Sequence, residues 1–190
     1  MTNRSTQNEP MLIVSSLERA REAFDDHRPA HIISILSEDE PRPMFPGIAA
    51  ADHLKLYVEC ETGPVAHNET ARARTHSIVE NYRGWAGHGD AGIANGSDEA
   101  GKILVHCAKG VSRSMAAAYI ILCLTHPERG EAALAAELRA AAPHADPCLF
   151  MINHADDLLA RDGRMFDAID DLPPCRTTID APIVLLPMAA

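Results

Sequence analysis

A chain of 190 residues, 46% of them hydrophobic, can bury one core of ordinary size, and with only 4% aromatics that core must be largely Ala, Leu, Ile and Val. A formal charge of -10 without any long run of Lys or Arg excludes broad nucleic-acid or anionic-membrane binding, which needs a basic patch. An anionic substrate would have to be held by a local device.

The first residues, Met1 to Pro10, are polar and lack the apolar centre of a signal peptide. Met11 to Val14 is a short apolar run that predicts a strand. Ser15 and Ser16 then offer N-caps for a short helix over Leu17 to Phe24. His31 to Leu36, rich in β-branched residues, predicts a second strand. Pro41, Pro43 and Pro46 mark a loop. His53 to Val58 alternates Leu54, Leu56 and Val58 with polar neighbours, the pattern of a third strand. A Gly/Pro loop, Thr62 to Asn68, leads to a helix over Glu69 to Tyr82. The stretch Gly84 to Gly101 holds six of the eleven glycines and reads as a surface loop.

Lys102 to Val105 predicts a buried strand, and Ser114 to Leu124 a strongly apolar helix. Glu131 to Ala142 is a second helix, Pro143 and Pro147 interrupt the pattern, and Phe150 to Arg161 is a third. From 165 to 190 the pattern specifies no element; Ile183 to Leu186 is apolar and suits packing on the body or on a partner. Alternating strands and helices argue for an α/β fold, a central mostly parallel sheet flanked by helices. Nothing marks a second domain, so 1–190 is read as one. The longest apolar stretch, Met115 to Leu124, falls far short of the roughly 20 residues of a membrane span. The five cysteines are odd in number and show no CxxC spacing, which fits reduced thiols and a cytoplasmic location rather than a disulfide framework or a zinc site. The ten histidines show no ligand cluster, so neither metal nor cofactor is expected.

Chemistry concentrates in Val105-His106-Cys107-Ala108-Lys109-Gly110-Val111-Ser112-Arg113-Ser114, where a strand runs through a short loop into an apolar helix. Such a loop can turn successive N–H groups inward, and the helix N-terminus adds partial positive charge. The result is a cradle for a phosphate-sized dianion. Gly110 permits a conformation that other residues resist. Arg113 can grip two oxygens with its planar fork. At the mouth of the cradle, Cys107 meets a field that favours the thiolate, the nucleophilic form. It could attack phosphorus in line while the cradle stabilises the equatorial oxygens, and Ser114 could hydrogen-bond the sulfur as it leaves.

HCAKGVSRS resembles the signature of the cysteine-dependent protein tyrosine phosphatases, HCxxGxxR followed by Ser or Thr, in the form found in dual-specificity phosphatases. The likeness spans roughly Met11 to Arg161, including Arg139 and Pro143, and is greatest to small bacterial members. It implies a tyrosine/dual-specificity phosphatase-like fold, no metal, and hydrolysis through a phosphocysteine. By position, Cys107 would be the nucleophile. Arg113 with the amides of Ala108, Lys109, Gly110, Val111 and Ser112 would bind phosphate. Ser114 would assist breakdown of the intermediate, and His106 would support the loop from behind.

The sequence departs from that pattern where the family carries an Asp general acid. Past the third strand it reads Glu59-Cys60-Glu61, with no Asp. Either Glu could supply the proton, or both are solvated carboxylates; loss of an acid typically costs ~10²–10⁴-fold in rate. Asp146-Pro147 resembles a general acid of the low-molecular-weight tyrosine phosphatases, but the position of Cys107 in the chain is wrong for that family, and Asp146 suits a turn. Lys109 adds a cation near the phosphate or points to solvent. Cys148 stands where relatives often carry Asn, so a loop-bracing hydrogen bond is expected to be missing. Cys60 could form a reversible disulfide with Cys107 or simply pack at the strand end. The leading expectation is a phosphatase acting on a phosphorylated protein or small phosphomonoester. The alternative is a catalytically weak phosphate-binding module. A sulfurtransferase also uses a Cys in an anion loop, but the Arg113-Ser114 ending suits phosphate.

Overall fold

The computed structural model describes residues 9–57, 68–87 and 101–188, and in them five strands and six helices. In chain order these are β1 (Met11–Ser16), α1 (Ala20–His27), β2 (His31–Leu36), β3 (His53–Tyr57), α2 (Asn68–Gly87), β4 (Lys102–Cys107), α3 (Arg113–Thr125), α4 (Glu131–Ala141), α5 (Leu149–Leu158), α6 (Arg164–Asp170) and β5 (Val184–Pro187). The strands form one sheet in the order β3-β2-β4-β1-β5. The first four are parallel, and β5 closes the edge antiparallel to β1, with Leu12 opposite Leu186. Strands covered on both faces must be apolar throughout, and Ile103 to Cys107 of β4 are all buried.

The position of β4 sets up the site. It is fourth in sequence yet lies between β1 and β2, so the connections diverge on either side of it. In open α/β sheets, ligands bind in the crevice outside the carboxyl ends of strands at such a switch point. The register places Ser16, Cys107 and Ile35 side by side at that end.

Each strand sends alternate residues to opposite faces. One face, with Leu12, Val14, Ile33, Ile35, Ile103 and Val105, packs beneath α2 to α6 in one large apolar cluster. At its centre α3 is buried from Arg113 to Cys123, so it is apolar all round rather than striped. The other face carries Ile13, Ile32 and Leu104, covered by Ala20, Ala23 and Phe24 of α1 and by Phe45.

Several elements depart from the sequence-based expectation. The first helix begins at Ala20 instead of Leu17; Ser16 Oγ accepts the Arg19 N–H at 3.3 Å, capping a turn that precedes the helix. Gly84 and Gly87 lie in the last turn of α2 rather than in a loop. The rest of the expected Gly-rich loop, 88–100, and the Thr62–His67 loop lie outside the described residues. The 165–190 tail contains the body of α6 and all of β5. Among the described residues, no helix is long and apolar enough to cross a membrane.

Candidate active site

β4 ends at Cys107, and after five intervening residues α3 begins at Arg113. The loop between them is tied from outside by its carbonyls. Ala108 O accepts the Leu17 N–H at 3.2 Å, Val111 O that of Asp146 at 2.9 Å, and Ser112 O that of Cys148 at 3.4 Å. Among the described residues, no backbone carbonyl takes the N–H of Lys109, Gly110, Val111 or Ser112. The carbonyls are turned to the protein, and these amides remain for a ligand at the α3 N-terminus.

Gly110 makes the turn possible. Its φ is +70°, and a Cβ there would stand 2.7 Å from Ser16 N and 2.9 Å from the Ser15 carbonyl carbon. Both the left-handed backbone and the contact with the end of β1 demand glycine. Cys107 is 2% exposed, and its Sγ lies 3.1 Å from Ser114 Oγ in the first turn of α3. The thiol and the hydroxyl that the motif pairs are thus in contact. Lys109 is exposed, as a solvated lysine would be.

Arg113 is buried to 8% exposure and does not stand alone. Its Nη2 donates to Glu40 Oε1 at 3.1 Å and its Nη1 to Ser37 Oγ at 3.1 Å. Glu40 is in turn fixed by the Ser37 N–H, which donates to Oε2 at 2.6 Å, while Glu40 N donates to Ser37 O at 3.2 Å. A buried guanidinium needs such a counter-charge. Glu40 therefore tempers the positive field expected from Arg113 and sets where its fork points. The sequence reading missed Glu40: it sits in a polar run, Ser37-Glu38-Asp39-Glu40, and meets Arg113 across 73 positions of chain.

Behind the loop, His106 is fully buried. Its Nε2 lies 2.7 Å from Ser34 Oγ, which lies 2.8 Å from His53 Nε2. Ser34 has one proton to give, so one histidine accepts it and the other donates. His106 Nδ1 has no partner among the described residues. A proton on His106 Nε2, donated to Ser34, leaves only a lone pair unmatched there, so Ser34 in turn donates to His53. Burial, with a smaller repulsion from His53, pushes His106 down to about 3. His53 is pushed down to about 4 by burial and by the charge of Lys55. Both rings are neutral near pH 7, and the chain supports the loop from behind without adding charge.

The loop is also braced from α4. Arg139 donates through Nη2 to Ala145 O at 3.0 Å and through Nη1 to Pro173 O. This holds the segment whose Asp146 and Cys148 amides bind Val111 and Ser112. At Cys148 the contact with the loop is made by the backbone N–H. Asp146 is exposed and precedes α5, but the turn expected to start there lies earlier, at Pro143 and His144, closed by the Ala145 N–H donating to Ala142 O at 2.9 Å. Glu59, Cys60 and Glu61, and with them the acid and the Cys60–Cys107 pair, lie outside the described residues.

No protein-family model and no curated protein matches the chain. Solved structures do. DUSP15 aligns with a TM-score of 0.54 at 17% identity, over 88% of this chain and 96% of that one. The human tyrosine phosphatase-like serine/threonine/tyrosine-interacting protein aligns at 0.54 and 18%, over 80% and 92%. The Yvh1 phosphatase domain of Chaetomium thermophilum aligns at 0.54 and 21%, over 81% and 93%. At such identities the likeness is one of fold: the chain has the architecture of the dual-specificity and tyrosine phosphatases.

Proposed function

We propose that the protein is a metal-independent phosphomonoesterase, acting on phosphotyrosine or mixed phosphoprotein substrates through a phosphocysteine on Cys107. One observation carries the reading. A buried cysteine lies 3.1 Å from Ser114 Oγ, at the mouth of a loop that leads into α3 and Arg113. That combination serves a tetrahedral dianion better than any other common ligand.

In the first step the Cys107 thiolate attacks phosphorus and an S–P bond forms as the ester P–O bond breaks. The leaving oxygen takes a proton from a carboxylic acid, for which Glu59 and Glu61 are the candidates. Amides of Lys109 to Ser112 and the Arg113 fork hold the equatorial oxygens. In the second step water attacks phosphorus and gives its proton to the same carboxylate, restoring the acid, while the S–P bond breaks and Ser114 Oγ donates a hydrogen bond to the departing thiolate. The products are inorganic phosphate and free enzyme. Glu40 keeps the Arg113 fork aimed through both steps.

The second reading, a phosphate-binding module without turnover, draws on Glu59-Cys60-Glu61 in place of the usual Asp, and on the phosphatase-like interacting protein among the structural neighbours. Hydrolysis of para-nitrophenyl phosphate, followed across pH without metal, separates the two. Its leaving group needs little help from an acid. Turnover by wild type that vanishes in Cys107→Ser is the expected result. Folded, reduced wild type that binds phosphate without turnover would decide for the module.

A further inference from the structure

Beside the catalytic loop, on the thinly covered face of the sheet, lies a cavity of about 270 Å³ lined by Ser34, Arg42, Met44, His53, Lys55 and Tyr57 among others. Its position is fixed by two connections. Ser34, at its floor, is the residue that holds His106, one position before Cys107. The turn Ser37–Glu40, which holds Arg113, runs directly into Arg42. In the sheet, Cys107 is level with Ile35 of β2, and Leu56 of β3 comes next. Measured along the sheet backbone, β3 is therefore two strands from β4, about 10 Å at the usual strand spacing.

The charge of this cavity runs against that of the molecule. In a chain of net charge -10, many arginines already face carboxylates, as Arg19, Arg21, Arg129 and Arg161 do. Arg42 and Lys55, the latter one of only three lysines, have no ion-pair partner among the described residues. The Arg42 guanidinium lies over the Tyr57 ring, 4.7 Å from its centroid, which limits its freedom while leaving its donors available. Lys55 acts on the same space: its charge helps to keep His53 neutral. Asp52, just before β3, is turned to His31 at 3.2 Å, and Glu40 is held by Arg113. Met44, 83% exposed, adds an apolar rim suited to the stem of a side chain.

We propose that this cavity is a second anion subsite, which takes the carboxylate of an Asp or Glu flanking the phosphorylated residue of a peptide substrate. The inference rests on the phosphatase reading of Cys107 for the position of that residue. An extended peptide advances about 3.3–3.6 Å per residue, so about 10 Å corresponds to a carboxylate about three residues away. A cavity of this volume holds an acidic side chain and its stem but is too small for a second large group.

The test uses phosphotyrosine peptides identical except at the position three residues from the phosphotyrosine, which carries Glu, Ala, Lys or phosphoserine. Wild type should prefer Glu to Ala by about tenfold in kcat/KM, the worth of one charge-assisted contact. Arg42→Glu with Lys55→Glu should invert the order so that Lys is preferred. Arg42→Gln with Lys55→Gln, a milder pair, should bring the Glu:Ala ratio near one. A wild-type ratio near one, or an unchanged ratio in both double variants, overturns the proposal. A phosphoserine peptide that outranks Glu many-fold overturns the carboxylate assignment in favour of a phosphate. Failure of the underlying reading looks different, since no peptide and no para-nitrophenyl phosphate would then turn over. The same ratios taken as Kd from fluorescence anisotropy, in a Cys107→Ser background, still decide the subsite in that case.

Discussion

On one face of the sheet, α2 to α6 bury a single cluster running from Leu12 and Ile33 through Met115 to Cys123 of α3 to Leu186. On the other, α1 and Phe45 complete a cluster of seven buried residues. The first face is apolar, and it seats α3 so that Ser114 meets Cys107 at the end of β4. The second carries the hydrogen-bonded Ser34, His53 and His106 and the cavity with Arg42 and Lys55. A large apolar cluster supplies rigidity, and thinner cover leaves room for polar groups with access to solvent. The Cys107–Ser114 loop lies where the two faces meet, and each contributes what the other lacks.

Ile32 and Ile33 put that contrast to its severest test. They are neighbours on β2, both 0% exposed, and they point to opposite faces. Ile33→Ala should cost ~4 kcal/mol and Ile32→Ala ~2 kcal/mol. The spread follows from how far each site can collapse, since the chain around Phe45 can settle and α3 cannot. Urea unfolding measures both, and equal losses would remove the distinction between the faces.

Gly110→Ala should have the next largest effect. The left-handed backbone costs an alanine about 1–2 kcal/mol. Its Cβ would also press on Ser16 N at 2.7 Å, moving the loop away from β1. A displacement near 1 Å is enough to lower kcat/KM about 10²-fold. Para-nitrophenyl phosphate kinetics, with circular dichroism to confirm folding, would show it. Activity within a few-fold of wild type would mean that the loop is less tightly bound to β1 than its contacts indicate.

The smallest effect concerns acid. His106 and His53 are pushed down, to about 3 and about 4, from an ordinary value of 6.5. The unfolded chain therefore takes up protons first. The stability linked to these neutral rings is complete above pH 6.5 and is lost as the pH falls from there through about 4 and about 3. Urea midpoints should fall more steeply between pH 7 and pH 4.5 in wild type than in His53→Gln. Parallel curves would show that the thin face is wet enough to charge without penalty.

Much of this molecule is legible in one dimension. β2, β4 and α3 are short or dense apolar runs whose period and length leave few choices, and their boundaries come within two residues of expectation. The loop Cys107–Ser114 is equally local: eight consecutive residues include the thiol, the glycine of the turn, the guanidinium and the hydroxyl. Elsewhere the signal is not local. The N-terminus of α6 is capped by Asp156, which accepts the Gly163 and Met165 N–H groups at 2.6 and 2.7 Å from within α5. A helix of seven residues held that way has no start signal of its own. Likewise β5 is four residues long and exists because β1, at the other end of the chain, offers an unpaired edge.

What the sequence determined by itself was the set of reactive groups in one loop and the layering of the fold, because both are written in neighbouring residues and in their period. Only the tertiary structure decided that β4 lies between β1 and β2, that Glu40 faces Arg113 across 73 positions, and that Ser34 joins His53 to His106. It also brought Arg42 and Lys55 into one cavity beside the loop. Those pairings are set by strand order and by which side of the sheet each residue faces, quantities that exist only once distant segments have packed together.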